Sequence, residues 1–147
     1  MSDYKLVKEF HEVFDRNPIP ESPTIPDHNT ILLRLQLIEE EVAESREILN
    51  DLLYFEFVHG RSPTKEEQKE ALCKLAKEWS DILYVVHGAG LAFGIDLDKA
   101  FPEVHRSNMT KLPKDGVILR REDGKVQKPD TYEQADMEGV LYDSKNI

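Results

Sequence analysis

Leu37-Ile38-Glu39-Glu40-Glu41-Val42-Ala43-Glu44-Ser45-Arg46-Glu47-Ile48 decides the fold. Leu37, Glu41, Glu44 and Ile48 follow a four-three-four spacing, which places them on one stripe of an α-helix. Two carboxylates therefore occupy places flanked by apolar residues on the inward face. Asp27 or Asn29 can cap this helix at its start, and Gly60, able to adopt a left-handed conformation, can stop it after about Val58. Ser62-Pro63, with Thr64 and Glu67 at capping-box spacing, opens a third helix. There Ala71, Leu75, Glu78, Ile82 and Val85 repeat the same stripe, with Asp81 one turn after Glu78. So short a connection predicts a tight antiparallel pair. Glu41 and Glu44 precede the turn near Gly60 by roughly 16–19 residues, and Glu78 and Asp81 follow it at a similar distance, so the four carboxylates come level.

Outward from this pair, Leu6, Val7, Phe10, Val13 and Phe14 lie on one face of a short first helix over Tyr4–Phe14. Residues 17–26 hold four prolines, each removing a donor and fixing φ, and form an extended loop. The third helix runs out near Gly88–Gly94, with Gly94 as its stop, and Asp96 caps a fourth. Pro102 inside that fourth segment predicts a kink or a restart. After Leu112 two Asp-Gly turns, Asp115-Gly116 and Asp123-Gly124, punctuate short β-branched runs, a hairpin signal, and the tail beyond Pro129 reads as weakly ordered. The expected fold is all-α: an antiparallel bundle of about four main helices with a short C-terminal β-hairpin and tail. Residues 1–112 form the helical domain, and 113–147 are a hairpin and tail belonging to it. Two helices this long leave an apolar face uncovered in one small chain, which predicts a homodimer or homotetramer.

Composition narrows the function classes. With 147 residues the chain is long enough for one core, and its 19 Lys and Arg against 29 Asp and Glu give a net charge of -10. That sign opposes phosphate-backbone neutralisation, so neither nucleic acid nor an anionic membrane is an expected partner. The most apolar stretch, Ile82 to Ile95, is too short to span a bilayer. One cysteine, Cys73, allows no intrachain disulfide, and Met1–Lys5 lacks a secretion signal's apolar stretch, so a cytoplasmic protein is expected. No P-loop is present, and Gly88–Gly94 ends a helix rather than following a strand as a dinucleotide fingerprint would. The five histidines show no ligand spacing. Cys73 reads as core, and Trp79 and Tyr84 read as packing residues, although Trp79 could also stack on a base.

Acidic runs on exposed helices are common, and Glu39-Glu40-Glu41 alone would be a solvated face. Two acidic pairs, each on an apolar stripe and each equidistant from one turn, change that balance. Two carboxylates about 4 Å apart repel by about 4 kcal/mol at an effective dielectric near 20, a heavy load on a stability of about 5–15 kcal/mol. Hard oxygen donors so clustered suit Mg²⁺, with Mn²⁺ as the alternative.

Glu40-Glu41-Val42-Ala43-Glu44 and Glu78-Trp79-Ser80-Asp81 resemble the E-E-x-x-E and E-x-x-D signature of the MazG-like all-α nucleoside triphosphate pyrophosphohydrolases. Val104-His105-Arg106-Ser107-Asn108-Met109-Thr110-Lys111 is similar to that family's fourth-helix motif. The resemblance covers about Leu33 to Lys111, and Asp123-Gly124-Lys125-Val126 is similar to a hairpin of some members. Such enzymes cleave nucleoside or deoxynucleoside triphosphates between the α and β phosphates, giving the monophosphate and pyrophosphate. The resemblance implies Glu41, Glu44, Glu78 and Asp81 as Mg²⁺ ligands, with Glu40 holding a further ion or orienting the attacking water. It also implies that Asn108 and Lys111 contact sugar and phosphates, with Arg106 and Arg34 as helpers. The rival reading is a non-catalytic acidic helical bundle that binds a partner protein or a divalent metal.

Overall fold

Five helices form among the described residues of a computed structural model, which are residues 2–15 and 18–142. They are α1 (Asp3–Phe14), α2 (His28–His59), α3 (Lys65–Ala92), α4 (Leu97–Met109) and α5 (Met137–Tyr142). Asn17 of the expected loop and residues 143–147 of the expected tail lie outside the described residues. The chain divides into two compact units, Met1–Gly94 and Ile95–Ile147. The first unit holds α1, α2 and α3, and the second holds α4 and α5. No single helix among the described residues is long and apolar enough to cross a membrane.

In the first unit the expected punctuation is realised atom by atom. The Asp27 side chain accepts from Thr30 N at the start of α2, and Gly60 ends it at φ 63°. Thr64 and Glu67 close a capping box on α3, each side chain accepting from the other's backbone N–H. Arg61 grips Glu67 with two 2.8 Å bonds and so ties the connecting turn to the new helix, holding the Glu67 carboxyl far below its ordinary range. α2 packs along α3, and α1 packs on α3. Lys77 reaches Glu44, and Lys74 feels Asp51 closer to the turn, the opposed stepping of an antiparallel pair.

Among the described residues of this unit, Val7, Leu75 and Leu91 are the buried large apolar side chains. The side chain of His11 on α1 is also buried, and a Cβ at Gly88 on α3 would meet its ring at 2.9 Å, so the close approach of α1 depends on a glycine there. Much apolar surface remains uncovered: Leu53, Phe57 and Leu72 are 76%, 90% and 64% exposed. Cys73, expected in the core, is exposed, because it lies outside the α3 stripe that carries Leu75 and Glu78. Trp79 is half-exposed rather than packed, whereas Tyr84 stands edge-on to Phe10 with ring centroids 5.8 Å apart.

The proline-rich loop is pinned where α3 ends: Thr24 N donates to Phe93 O at 2.9 Å, and Gly94 follows at φ 66°. A Cβ at Gly94 would lie 2.2 Å from the Ser22 carbonyl oxygen. Gly94→Ala therefore meets both a disfavoured backbone conformation and a backbone clash, and should cost about 2–4 kcal/mol of stability. Denaturant melts measure this loss. An unchanged midpoint would show that the loop does not seat on the α3 terminus.

In the second unit α4 is continuous from Leu97 to Met109 with Pro102 inside it, so the helix does not restart there. The Asp96 side chain caps its start, so the helix survives the one hydrogen bond that Pro102 cannot donate. No strand forms among the described residues; the expected hairpin reduces to one isolated antiparallel bridge, Arg120 with Val126. Val117, Ile118 and Leu119 are more than half exposed, and an apolar run with nothing to cover it does not propagate a ladder. The segment beyond Pro129 is better held than expected. Ser107 Oγ donates to Glu133 O at 2.7 Å, Glu133 N to Thr110 Oγ1 at 2.8 Å, and Asp136 N to Glu103 Oε1 at 2.8 Å, while α5 packs on α4.

Candidate metal centre

Helical spacing puts Glu41 and Glu44 on one face of α2 and Glu78 on the facing side of α3, and the antiparallel pairing brings them level. One carboxylate oxygen from each lies within 4.8 Å of the other two. Glu78 is buried and Glu41 half-buried, while Glu44 is exposed. The Glu41 Oε2 atom is sealed from solvent without a hydrogen-bond partner. Burial first, then the charge of Asp81, pushes the Glu41 carboxyl above its ordinary value. A hydrogen bond shared with Glu78, then that neighbour's charge, does the same to Glu44. The cluster is thus short of positive charge.

Lys77 partly answers it. Its Nζ stands 2.9 Å from Asp81 Oδ2, 3.2 Å from Glu78 Oε2 and 3.9 Å from Glu44 Oε2. Asp81 above all, then Glu78, hold that ammonium well above its usual range, so it stays charged. Asp81 lies beside the three-glutamate group, half-buried and bound to Lys77, rather than within it. Glu40 is exposed and stands outside the group, acting on Glu41 as a like charge. Lys77 is the residue that the sequence reading missed. The available signal is its position four residues before Asp81, the spacing of a helical ion pair.

Three hard oxygen donors, one of them an orphaned buried atom, fit a divalent cation such as Mg²⁺. Glu41, Glu44 and Glu78 would hold it, and Asp81 could join them on leaving Lys77.

The other expected site residues fall into three places. Arg34 lies on α2 two turns before Glu41, where its Nη2 donates to Asp15 Oδ2 at 3.2 Å and its Nε is buried without a partner. His11 bonds Asp15 as well, so Arg34 is part of a His11–Asp15–Arg34 network at a pocket of about 360 Å³. Trp79, next to Glu78 on α3, has half its surface open. Asn108, Lys111 and Arg106 belong to the second unit. Lys111 Nζ donates to Asn108 Oδ1 at 2.7 Å.

Arg106 is engaged structurally, donating two 2.8 Å bonds to Glu103 and one of 2.6 Å to Glu133. Arg106 first, then the Asp136 N–H, lowers the Glu103 carboxyl from 4.5 to about 2. A depressed carboxyl contributes stability that is present above the unfolded value and lost as pH falls through the folded one. Wild type should therefore lose this contribution between pH 4.5 and about 2, and Arg106→Gln should lower the melting temperature at pH 7 and flatten that acid limb. Melts against pH check both; a variant with wild-type acid sensitivity would free Arg106 from this role.

Residues 7–108 match the phosphoribosyl-ATP pyrophosphohydrolase family, a span that contains both acidic motifs and Asn108. Over 92 residues the chain is 34% identical to an uncharacterized protein of Acanthamoeba polyphaga mimivirus, a stretch covering 63% of this chain and 26% of that protein. The chain thus spans about a quarter of that curated relative's length. The resemblance to MazG-like enzymes is narrowed by the match: the superfamily is the all-α one expected, but the family within it is not MazG itself. With more than half of its residues inside the matched span, the chain belongs to the phosphoribosyl-ATP pyrophosphohydrolase family.

Proposed function

We propose that the chain is a Mg²⁺-dependent pyrophosphohydrolase that cleaves a nucleoside or deoxynucleoside triphosphate between the α and β phosphates. Mn²⁺ is the alternative ion. The convergence of Glu41, Glu44 and Glu78 around a buried, unpartnered carboxylate oxygen carries this reading. Phosphoryl transfer needs positioning and charge neutralisation more than covalent catalysis, and a bound divalent cation supplies neutralisation at the phosphate oxygens. The glutamates would hold it, and Glu40, exposed and acting on Glu41 as a neighbouring charge, would orient water. The water oxygen bonds to the α phosphorus, the bond from that phosphorus to the bridging oxygen breaks, and pyrophosphate leaves. Phosphoribosyl-ATP, the compound in the family's description, is itself a triphosphate and falls in this substrate class.

The exposed Leu53, Phe57 and Leu72 support association of the long helices with a second copy, as a dimer or a dimer of dimers. A second reading is favoured by Lys77: its contacts with three of the acids suit a structural ion-pair network in a non-catalytic bundle.

Incubation with the common NTPs and dNTPs and with phosphoribosyl-ATP, in Mg²⁺, with products resolved by phosphorus NMR, separates the two. Pyrophosphate with a monophosphate is expected for at least one substrate. Orthophosphate with a diphosphate, or no turnover across the panel, would overturn the hydrolase reading.

A further inference from the structure

Residues 111–128 carry six Lys or Arg against three Asp or Glu, in a chain whose net charge is -10. Within the second unit, five of those cations, Lys111, Arg120, Arg121, Lys125 and Lys128, line one cavity of about 830 Å³. Its wall is the turn closed by Arg121 N to Lys125 O and Gln127 N to Leu119 O, both at 2.8 Å, with Gly124 at φ 80°. The family match ends at residue 108, so all five cations lie beyond it.

Their partners leave the charge largely unanswered. Lys111 donates to the neutral Asn108 amide, Arg120 Nη1 to the Gly124 carbonyl at 2.9 Å, and Lys128 Nζ stands 4.4 Å from the centroid of the Tyr132 ring. Among the described residues, Asp123 is the carboxylate that answers, 3.5 Å from Arg121 and 3.9 Å from Lys125. The hydroxyl of Tyr132 reports the same field: a Ser107 hydrogen bond first, then the charges of Lys128 and Lys111, hold it below its ordinary value. Cations gathered around a concavity repel one another until a polyanion enters, and Arg and Lys side chains are the usual donors to phosphate oxygens. The cavity is large enough for a nucleotide.

We propose that this cavity is a binding site for a polyphosphate group, either free pyrophosphate or the phosphate chain of a nucleoside triphosphate, with Arg120, Lys125 and Lys128 as its cations alongside Lys111. Its biological use rests on the proposed hydrolysis, but the anion site itself rests on the second unit alone.

Calorimetric titration of the full chain in EDTA, with pyrophosphate and separately with a non-hydrolysable triphosphate analogue, tests it. Both anions should bind saturably if the phosphate chain is what is read; pyrophosphate alone points to a product site. Lys128→Gln and Arg120→Gln should each weaken binding about tenfold, the worth of one charge-assisted hydrogen bond. Lys125→Gln, at a side chain that is 76% exposed and so safe for folding, should weaken it in the same direction. Glu44→Gln should leave it unchanged. No binding by wild type, or equal binding by all three cation variants, would overturn the proposal. Pyrophosphate binding that Lys125→Gln weakens, in a protein that hydrolyses no triphosphate, would reject the proposed function and keep this site. Hydrolysis with binding unaltered in the variants would do the converse.

Discussion

Glu44→Gln should raise the melting temperature of the metal-free protein by several degrees and, in the same molecule, should reduce the proposed triphosphate hydrolysis at least about 100-fold. Both effects come from one fact. Burial first, then the charges of Asp81 and Glu78, raise the Glu41 carboxyl above its ordinary value, and a hydrogen bond with Glu78 first, then the charges of Glu78 and Glu41, raises that of Glu44. An acid whose folded value exceeds its unfolded one makes the native state bind more protons than the unfolded chain. Its contribution is favourable below the ordinary carboxyl value of 4.5 and is lost as pH rises through the raised value. In EDTA the wild type should therefore lose stability on going from acid toward neutral pH, and Glu44→Gln should soften that loss. Mg²⁺ should remove it in wild type and do little in the variant, because a ligand stabilises only in proportion to its preference for the native state. A variant that is less stable in EDTA and keeps the full Mg²⁺ shift would contradict the metal centre.

Lys77→Met should act in the opposite sense. The Lys77 ammonium is the cation among these carboxylates, bonded to Asp81 and Glu78 and close to Glu44. Without it the metal-free protein should melt several degrees lower, since three acids lose their counter-charge. Mg²⁺ should then bind about tenfold more tightly, because an internal competitor for the same oxygens is gone. Melting curves in EDTA, with a Mg²⁺ titration of both proteins, measure the two effects. Weaker Mg²⁺ binding in Lys77→Met would show that Lys77 supports the site rather than competing for it. Asp81→Asn differs from Glu44→Gln because Asp81 has the closer pair with Lys77, 2.9 Å against 3.9 Å, so its neutralisation breaks that attraction at the same time as it relieves the repulsion on Glu41.

The long helices, their caps and the level placement of Glu41, Glu44 and Glu78 were legible in the sequence because each depends on local chemistry. Asp27, Gly60 and the Thr64–Glu67 box act within four residues of themselves, and a short turn leaves two long helices little choice but to run antiparallel. What depends on longer reach was not legible. Cys73 and Trp79 face outward because their places on α3 lie off the packed stripe, which their residue types do not reveal. The hairpin signal at Asp115-Gly116 and Asp123-Gly124 was real as turn chemistry, but a ladder needs an apolar surface to lie on, and Val117–Leu119 stay more than half exposed. Pro102 broke no helix because a capped end and the packing of α5 hold α4 together. Within the acidic cluster, spacing on a wheel located the carboxylates but could not show that Lys77 folds in among them, which depends on its side-chain torsions.

The central claim is that Glu41, Glu44 and Glu78 together hold a divalent cation. Mn²⁺ binding followed by electron paramagnetic resonance tests it without recourse to turnover, since free and protein-bound Mn²⁺ give distinct spectra. Wild type should bind Mn²⁺ saturably, Mg²⁺ should displace it, and Glu44→Gln or Glu78→Gln should weaken binding at least about tenfold while Lys125→Gln leaves it unchanged. Identical Mn²⁺ isotherms for wild type and both glutamate variants would contradict the account.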